Sequence, residues 1–225
     1  MSNLPVTAVI PVRNGAATIE RAVKSAIDAG CEYVYIFDDN STDDTKKVVS
    51  QFLGYGRVGL SSSDFHVGVN YARNYLISRT REDNLIIPLD CDDTLHDIAP
   101  LVAAWSPETW VYGNHIEVQD GNETLVKGVA SGSLSRKNIT GVTFLFHRDD
   151  WQKVGGYDPD FAYAEDYAFQ CALTNAGVKP VYVDTTVYNR FLKPEGNERS
   201  VLAGEYWQFY RTMARRKWPN VFSGT

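Results

Sequence analysis

The sequence is poor in cysteine, in positive charge and in long apolar runs, and each shortage excludes a class of protein. Three cysteines occur in 225 residues and none forms a C-x-x-C pair, which disfavours a disulfide framework or a zinc–thiolate site and indicates a reducing compartment. The formal net charge of −6 disfavours bulk binding to DNA or to an anionic membrane. No apolar run is long enough to span a bilayer, and no signal peptide is visible. We therefore expect a cytoplasmic protein.

The hydrophobic content and the alternation of strand and helix patterns predict one α/β domain. Hydrophobic residues make up 44% of the chain, which is ample for a core. In the first half, short β-rich runs alternate with segments of helical periodicity, the second of which begins with Ser41 three residues before Asp44, as in a capping box. This alternation predicts a parallel, doubly wound sheet. The predicted strands are 6–11, 33–37, 57–60 and 85–89, and the predicted helices are 18–29, 41–53 and 69–79.

The second half of the sequence predicts a mixed arrangement of strands and helices. Runs 110–118 and 124–129 flank Asp120, Gly121 and Asn122, a composition typical of a hairpin. Further strands are predicted at 142–146 and 179–188, and a helix at 165–175. We found no internal repeat, low-complexity stretch or linker.

Polar clusters follow three of the predicted parallel strands. They are Arg13-Asn14, Asp38-Asp39 and the run Asp90-Cys91-Asp92-Asp93. Open α/β sheets bind ligands beyond the carboxyl ends of their strands, so these side chains are expected to converge. Removing clustered carboxylates from water costs free energy unless an opposite charge compensates them. A divalent cation bound together with a sugar-phosphate ligand would supply that compensation. The alternatives are helix capping for Asp38-Asp39 and a solvated turn for the D-x-D.

Taken in order, several sequence blocks resemble the family 2 glycosyltransferases of the GT-A fold. The resemblance runs from residue 5 to about residue 190 and rests on the order and spacing of the blocks. They are V-I-P-V-R-N at 9–14, D-D-N-S-T-D at 38–43, G-V-N-Y-A-R-N at 68–74, L-D-C-D-D at 89–93, F-L-F-H-R at 144–148, V-G-G-Y-D at 154–158 and E-D-Y at 165–167.

The resemblance implies a nucleotide-sugar donor site at the strand ends. Pro11, Arg13 and Asp39 would lie against the nucleotide base, and Arg73 would approach the base and the phosphates. Asp90 would reach the ribose and the metal, while Asp92 would bind Mn²⁺ or Mg²⁺, cations that prefer carboxylate ligands. The other expected donor-binding residues are Asn14, Asp38 and Cys91.

The resemblance also implies transfer of a sugar, with a uridine diphosphate donor expected, to an acceptor hydroxyl with inversion at the anomeric carbon. Asp166, at the start of a predicted helix, is the expected general base, and Glu165 would orient it or the acceptor. The alternative role for these two residues is stabilisation of the helix start. Trp151, Tyr157 and Arg190 are candidate acceptor-binding residues. The acceptor itself is open among a surface glycan, a lipid-linked saccharide, a protein and a modified DNA base.

Two other functions compete with this one. The run D-C-D-D-T-L at 90–95 also matches the motif of haloacid-dehalogenase-type phosphatases, with Asp90 as nucleophile and Asp92 as acid and base. That motif normally follows the first strand and is accompanied by a later G-D-x-x-x-D block, which this sequence lacks. The other alternative is a catalytically inactive module that binds nucleotide sugars.

The predicted domain, residues 1–225, divides into three parts. Residues 1–95 would bind the nucleotide sugar, residues 96–190 would hold the acceptor and the catalytic residues, and residues 198–218 would form a C-terminal helix. That helix carries an apolar stripe beside Arg211, Arg215 and Arg216. It could pack on the domain, form a homodimer contact, or attach the protein to the inner face of a membrane.

Overall fold

Five strands form the first sheet of the computed structural model, which describes residues 4–129, 134–135, 138, 140–192 and 206–223. Four of them are parallel and lie in the order β3-β2-β1-β4, and a short antiparallel strand, β8, follows β4. The strands are β1 (Val6–Val12), β2 (Tyr33–Asp39), β3 (Val58–Ser63), β4 (Leu85–Pro88) and β8 (Phe146–His147).

Helices cover both faces of this sheet, which explains why β1 and β4 are almost continuously apolar. Successive side chains of β1 alternate between two hydrophobic clusters: Ala8 and Ile10 pack on the side of α1, and Val9 packs on the side of α3. The predicted doubly wound arrangement is confirmed. The helices of this half are α1 (Ile19–Asp28), α2 (Thr45–Ser50) and α3 (Val69–Ser78).

A second, mixed sheet has the strand order β5-β9-β6-β7. Its two long strands, β6 and β9, run parallel, and each has an antiparallel neighbour. The predicted hairpin is present, and its turn consists of Asp120 and Gly121, both at positive φ (52° and 78°). The strands are β5 (Thr94–Leu95), β6 (Thr109–Gln119), β7 (Asn122–Val126) and β9 (Lys179–Phe191).

In the described part of the second half there are four α-helices: α4 (Ala99–Ala104), α5 (Arg148–Val154), α6 (Glu165–Asn175) and α7 (Trp207–Lys217). The sequence predicted α6 and the C-terminal helix, although residues 198–205 of the latter lie outside the described residues. It missed α4 and α5, which are too short to show a helical period. Among the described residues, no helix has both the length and the apolar character to cross a bilayer.

Two local predictions were wrong. The segment predicted as a strand at 142–146 pairs as a strand only at Phe146 and His147, apart from a bridge between Leu145 and Val111. The capping box at Ser41 does not form, because the Ser41 hydroxyl accepts a hydrogen bond from the backbone N–H of Asn14. The helix begins instead at Thr45, whose N–H donates to Asp43.

Asn74 of α3 fastens this helix to the segment that follows α5. Its Oδ1 accepts hydrogen bonds from Trp151 Nε1 (2.9 Å) and from the backbone N–H of Tyr157 (2.8 Å), while its Nδ2 donates to the Tyr157 carbonyl. Gly156 lies at φ 81°, and a Cβ there would stand 2.5 Å from Asn74 Oδ1. The close approach therefore requires both the amide and the glycine.

We predict that Asn74→Ala lowers the free energy of unfolding by about 2 kcal/mol, because two donors in a packed region lose their acceptor. Ser78→Ala, on the same helix, removes only an exposed hydrogen bond to the Tyr75 carbonyl and should change stability little. Urea denaturation of both variants checks this, and equal stabilities would contradict it.

Candidate active site

The carboxyl ends of β1, β2 and β4 open onto one cleft, whose far wall is formed by β6 and β9. The cleft has a volume of about 1580 Å³. It brings together most of the residues that the sequence singled out: Pro11, Arg13, Asn14, Asp39, Asp90, Cys91, Asp92, Glu165, Asp166 and Arg190.

The acidic cluster after β4 consists of Asp90, Asp92 and Asp93, whose nearest ligand atoms lie within 4.8 Å of one another. Asp93 is 4% exposed and accepts a hydrogen bond from the backbone N–H of Phe191. Burial, reinforced by the charges of Asp90 and Asp92, raises the pKa of Asp93 to about 8. Three carboxylates with such unfavourable mutual repulsion fit a divalent cation, which would offset their charge. Asp90 and Asp92 are the metal ligands that the family resemblance implies, and Asp93 joins them in the structure.

Arg73 does not reach the cleft surface, where the family resemblance implied contact with the base and the phosphates. Its side chain is completely buried beneath the cleft, with Nη2 2.7 Å from Asp90 Oδ1 and Nη1 2.9 Å from Glu165 Oε1. The guanidinium therefore pairs with carboxylates of the protein from the buried side instead of facing a ligand. It fixes Asp90 and Glu165 relative to each other.

Asp166 is half-buried in the first turn of α6 and faces the cleft. Its Oδ1 accepts a hydrogen bond from the N–H of Tyr167 (2.8 Å), and its Oδ2 accepts one from Asn138 Nδ2 (2.6 Å). Burial, followed by the charge of Glu165, raises the pKa of Asp166 to about 6. Asn138 belongs to no motif, and nothing in the sequence indicates its role.

The consecutive acids Asp38 and Asp39 have different environments, because neighbouring side chains on a strand point to opposite faces. Asp39 lines the cleft and accepts hydrogen bonds from the loop before α3. Asp38 is fully buried and does not line the cleft; it accepts from the Ser41 N–H and lies 3.4 Å from Lys46 Nζ. The grouping of Asp38 with the donor-binding residues therefore needs correction.

The remaining candidates on the donor side lie at the cleft surface. Arg13 is exposed, and Asn14, at φ 53°, accepts a hydrogen bond from the Thr42 N–H. Burial raises the pKa of Cys91 to about 12, so its side chain is a neutral thiol and not a thiolate ligand.

Of the three candidate acceptor-binding residues, only Arg190 lines the cleft, where its Nη1 lies 3.3 Å from Glu117 Oε1. Trp151 is engaged with Asn74, and Tyr157 is 1% exposed and stacked on Phe169 with ring centroids 4.3 Å apart. Both are packing residues. The sequence missed the cleft residues on β6, namely His115, Glu117 and Gln119, because alternation within a strand does not reveal which face borders a cleft.

The chain has an α/β fold of the GT-A type, with a parallel sheet wound on both faces, a second mixed sheet and an acidic cluster beyond the strand ends. The pattern of glycosyl transferase family 2 matches residues 7–171. The chain belongs to glycosyltransferase family 2. No curated protein sequence matches it.

Solved structures with the same fold are distant in sequence. S. aureus TarS 1–349 in complex with UDP has a TM-score of 0.68 and 17% identity, covering 85% of this chain and 62% of that one. GalNAc-T7 with UDP, GalNAc and Mn²⁺ has a TM-score of 0.71 and 18% identity, covering 98% of this chain and 52% of that one. The present chain thus spans about three fifths of the one structure and half of the other.

We predict that Asp93→Asn stabilises the metal-free protein at about pH 9 by about 1–3 kcal/mol. In the folded protein the pKa of Asp93 is about 8, so the carboxyl group keeps its proton up to that pH. In the unfolded protein it loses the proton near its ordinary pKa of 3.8. Stability is therefore lost as the pH rises from about 4 to about 8, and asparagine removes this loss. At about pH 5, the difference should be much smaller.

Chemical denaturation at the two pH values measures this difference. Asp97→Asn, which changes an exposed acid outside the cleft, is the control and should show no such pH dependence. A pH-independent effect of Asp93→Asn would contradict the prediction.

Proposed function

We propose that this protein transfers a sugar from a UDP-linked donor to an acceptor hydroxyl, with inversion, and depends on a divalent cation. The observation that carries the proposal is that the acidic cluster Asp90, Asp92 and Asp93 shares one cleft with Asp166. Family membership supports the reaction class. The UDP bound to TarS, and the UDP and Mn²⁺ bound to GalNAc-T7, support the proposed donor and cofactor.

The acidic cluster is the proposed holder of Mn²⁺ or Mg²⁺, with Asp90, Asp92 and Asp93 as ligands. A bound cation there would neutralise the diphosphate as it leaves. The raised pKa of Asp93 supports this assignment, because it indicates that the metal-free protein does not itself stabilise the ionised carboxylate, which a bound cation would do.

Asp166 is the proposed general base. In the transfer step, the acceptor oxygen forms a bond to the anomeric carbon as the bond from that carbon to the diphosphate breaks, and the carboxylate takes the acceptor proton. A pKa of about 6 leaves Asp166 ionised at neutral pH but still basic enough for this role. Glu165 is engaged by Arg73 and is therefore a positioning residue.

The nucleotide sugar is proposed to bind at the ends of β1 and β2, against Pro11, Arg13, Asn14 and Asp39, with Cys91 as a further donor contact in the cleft. Arg190, paired with Glu117 on the far wall, is the proposed acceptor contact. A surface glycan, a lipid-linked saccharide, a protein and a modified DNA base all remain candidate acceptors. A homodimer through the C-terminal helix likewise remains a prediction, which size-exclusion chromatography tests.

The function is tested by thermal shift and by hydrolysis. We expect UDP to raise the melting temperature only when Mn²⁺ or Mg²⁺ is present, and a UDP-sugar to be cleaved slowly to sugar and UDP. Release of phosphate from a generic phosphomonoester would instead favour the phosphatase alternative. Binding of nucleotide sugars without any cleavage or transfer would favour the inactive module.

We predict that Asp92→Asn abolishes cation-dependent UDP binding, because it removes a charged ligand from the proposed cation site. Isothermal titration of UDP with and without Mn²⁺ measures the effect. Asp97→Asn, outside the cleft, should bind as the wild type does. Unchanged Mn²⁺-supported binding by Asp92→Asn would remove this residue from the site.

We predict that Asp166→Asn lowers kcat by about 10²–10⁴-fold with nearly unchanged donor affinity, because the lost interaction develops only in the transition state. In the wild type, kcat should fall as the pH drops below about 6, where Asp166 becomes protonated. Asp160→Asn makes the same charge change at an exposed position outside the cleft and should keep normal turnover.

Transfer rate, donor affinity and melting temperature should be measured on both variants. Normal kcat in Asp166→Asn would end its assignment as the base. If Asp166 only stabilises the helix start, the variant should instead melt earlier and turn over normally in its folded fraction.

A further inference from the structure

The C-terminal helix α7 begins at the cleft. Its first residue, Trp207, is partly buried and lines the cleft. The ring of Trp207 packs on that of Tyr167, with the centroids 4.8 Å apart, and Tyr167 directly follows the proposed base Asp166. Trp207 therefore stands on the side of the cleft that holds the base. The family pattern ends at residue 171, before this helix, so family membership gives Trp207 no role.

The helix is fixed to the domain by its buried face. The rings of Tyr210 and Trp218 pack on Phe161, with centroids 5.8 and 5.2 Å away. Arg211 Nε donates a hydrogen bond to the Ser135 carbonyl (3.0 Å). These contacts hold the start of α7 in place. A side chain that is held in place before its ligand arrives loses less conformational freedom on binding.

The segment that precedes α6 adds apolar surface on the same side. Pro159, Ala162 and Tyr163 line the cleft, and Phe161 between them is the residue that packs on α7. An aromatic and apolar wall next to a carboxylate base suits a sugar ring. A pyranose has a face of C–H groups, which packs on an aromatic ring, and hydroxyl groups around its edge, which the base can approach.

The charge of the cleft disfavours an anionic acceptor. Acidic residues outnumber basic ones along it, and the basic lining residues in the described part of the chain are Arg13, Lys127 and Arg190. Two of these already pair with acids of the protein, Lys127 with Asp184 and Arg190 with Glu117. UDP bound with one divalent cation adds no net positive charge. A polyanion such as DNA would thus be repelled, whereas a neutral saccharide would not.

We propose that Trp207 is a stacking surface for the acceptor, and that the acceptor is a neutral saccharide whose ring packs on the indole. This proposal rests on the proposed function, because it takes Asp166 as the base. It assigns the C-terminal helix to the acceptor site. It also favours a surface glycan or a lipid-linked saccharide, which share the sugar ring, over a protein side chain or a DNA base.

The test measures UDP release with Mn²⁺ from UDP-glucose, UDP-galactose and UDP-N-acetylglucosamine. Methyl glycosides of the same three sugars are offered as acceptors, and at least one should accelerate release beyond that seen with water alone. In Trp207→Ala, the KM for that glycoside should rise about tenfold, the order of one aromatic contact, with a smaller change in kcat. The affinity for UDP, measured by calorimetry, should stay close to that of the wild type.

Phe209→Ala is the matched control. It removes an aromatic ring from the same helix at a position that is 58% exposed and outside the cleft lining, so it should keep the wild-type KM. Trp207→Phe retains a ring and should recover most of the affinity for the glycoside. A merely structural role of Trp207 would instead lower the melting temperature and the affinity for UDP together with acceptor binding.

The octyl glycoside of the same sugar distinguishes the two sources of the acceptor. A KM lower than that of the methyl glycoside indicates a lipid-linked saccharide, and an equal KM indicates a glycan without a lipid. Both results support the proposal, because the sugar ring is the group that Trp207 binds.

Three results would overturn the proposal and leave the proposed function intact. They are an unchanged KM in Trp207→Ala, the absence of acceleration by any glycoside in a protein that binds UDP and hydrolyses a UDP-sugar, and acceleration only by a hydroxymethylated oligonucleotide or a serine-containing peptide. A wild type that neither binds UDP nor hydrolyses a UDP-sugar would overturn the proposed function, and this proposal with it.

Discussion

The buried guanidinium of Arg73 is the interaction on which the rest of the site depends. Burial alone would lower the pKa of Arg73, but the carboxylates of Asp90 and Glu165 outweigh that effect and raise it, so the side chain is a permanent cation in the interior. Its Nη2 forms an ion pair with Asp90, and its Nη1 forms one with Glu165. Without this cation, the buried carboxylate of Glu165 would lose its bond to Nη1 and the half-exposed Asp90 its bond to Nη2, and the loss at Glu165 is the more destabilising because that group is buried.

The acidic residues of the cleft differ in how well the protein compensates their negative charge. Asp90 and Glu165 are neutralised from below by Arg73, whereas Asp93 and Asp166, whose pKa values are raised to about 8 and about 6, are compensated less well. Raised carboxylate pKa values mark groups that gain stability from a cation or a proton. In the proposed reaction, Asp93 gains the cation and Asp166 gains the proton.

The sequence predicted the parallel sheet and the strand-end carboxylates because both have local signals, namely apolar runs and the acids that directly follow them. It could not assign a direction to side chains whose surroundings come from distant segments. Asp38 and Asp39 are identical in type and adjacent, and only the pairing of β2 shows which one faces the cleft. Tyr157 and Trp151 likewise resembled ligand contacts until their packing against Phe169 and Asn74 was known.

The bond between Arg73 and Glu165 joins residues that lie 92 positions apart in the chain. The proposed donor and acceptor halves therefore cannot be exchanged as independent modules. In a chimera that takes its first half from this protein and its second half from a relative, the incoming helix must begin with an acid at the position of Glu165. Otherwise the graft removes the acid that pairs with Nη1 of the buried Arg73 and leaves Asp90 as its remaining partner in these two bonds. Recombination between family members is thus restricted at this residue pair.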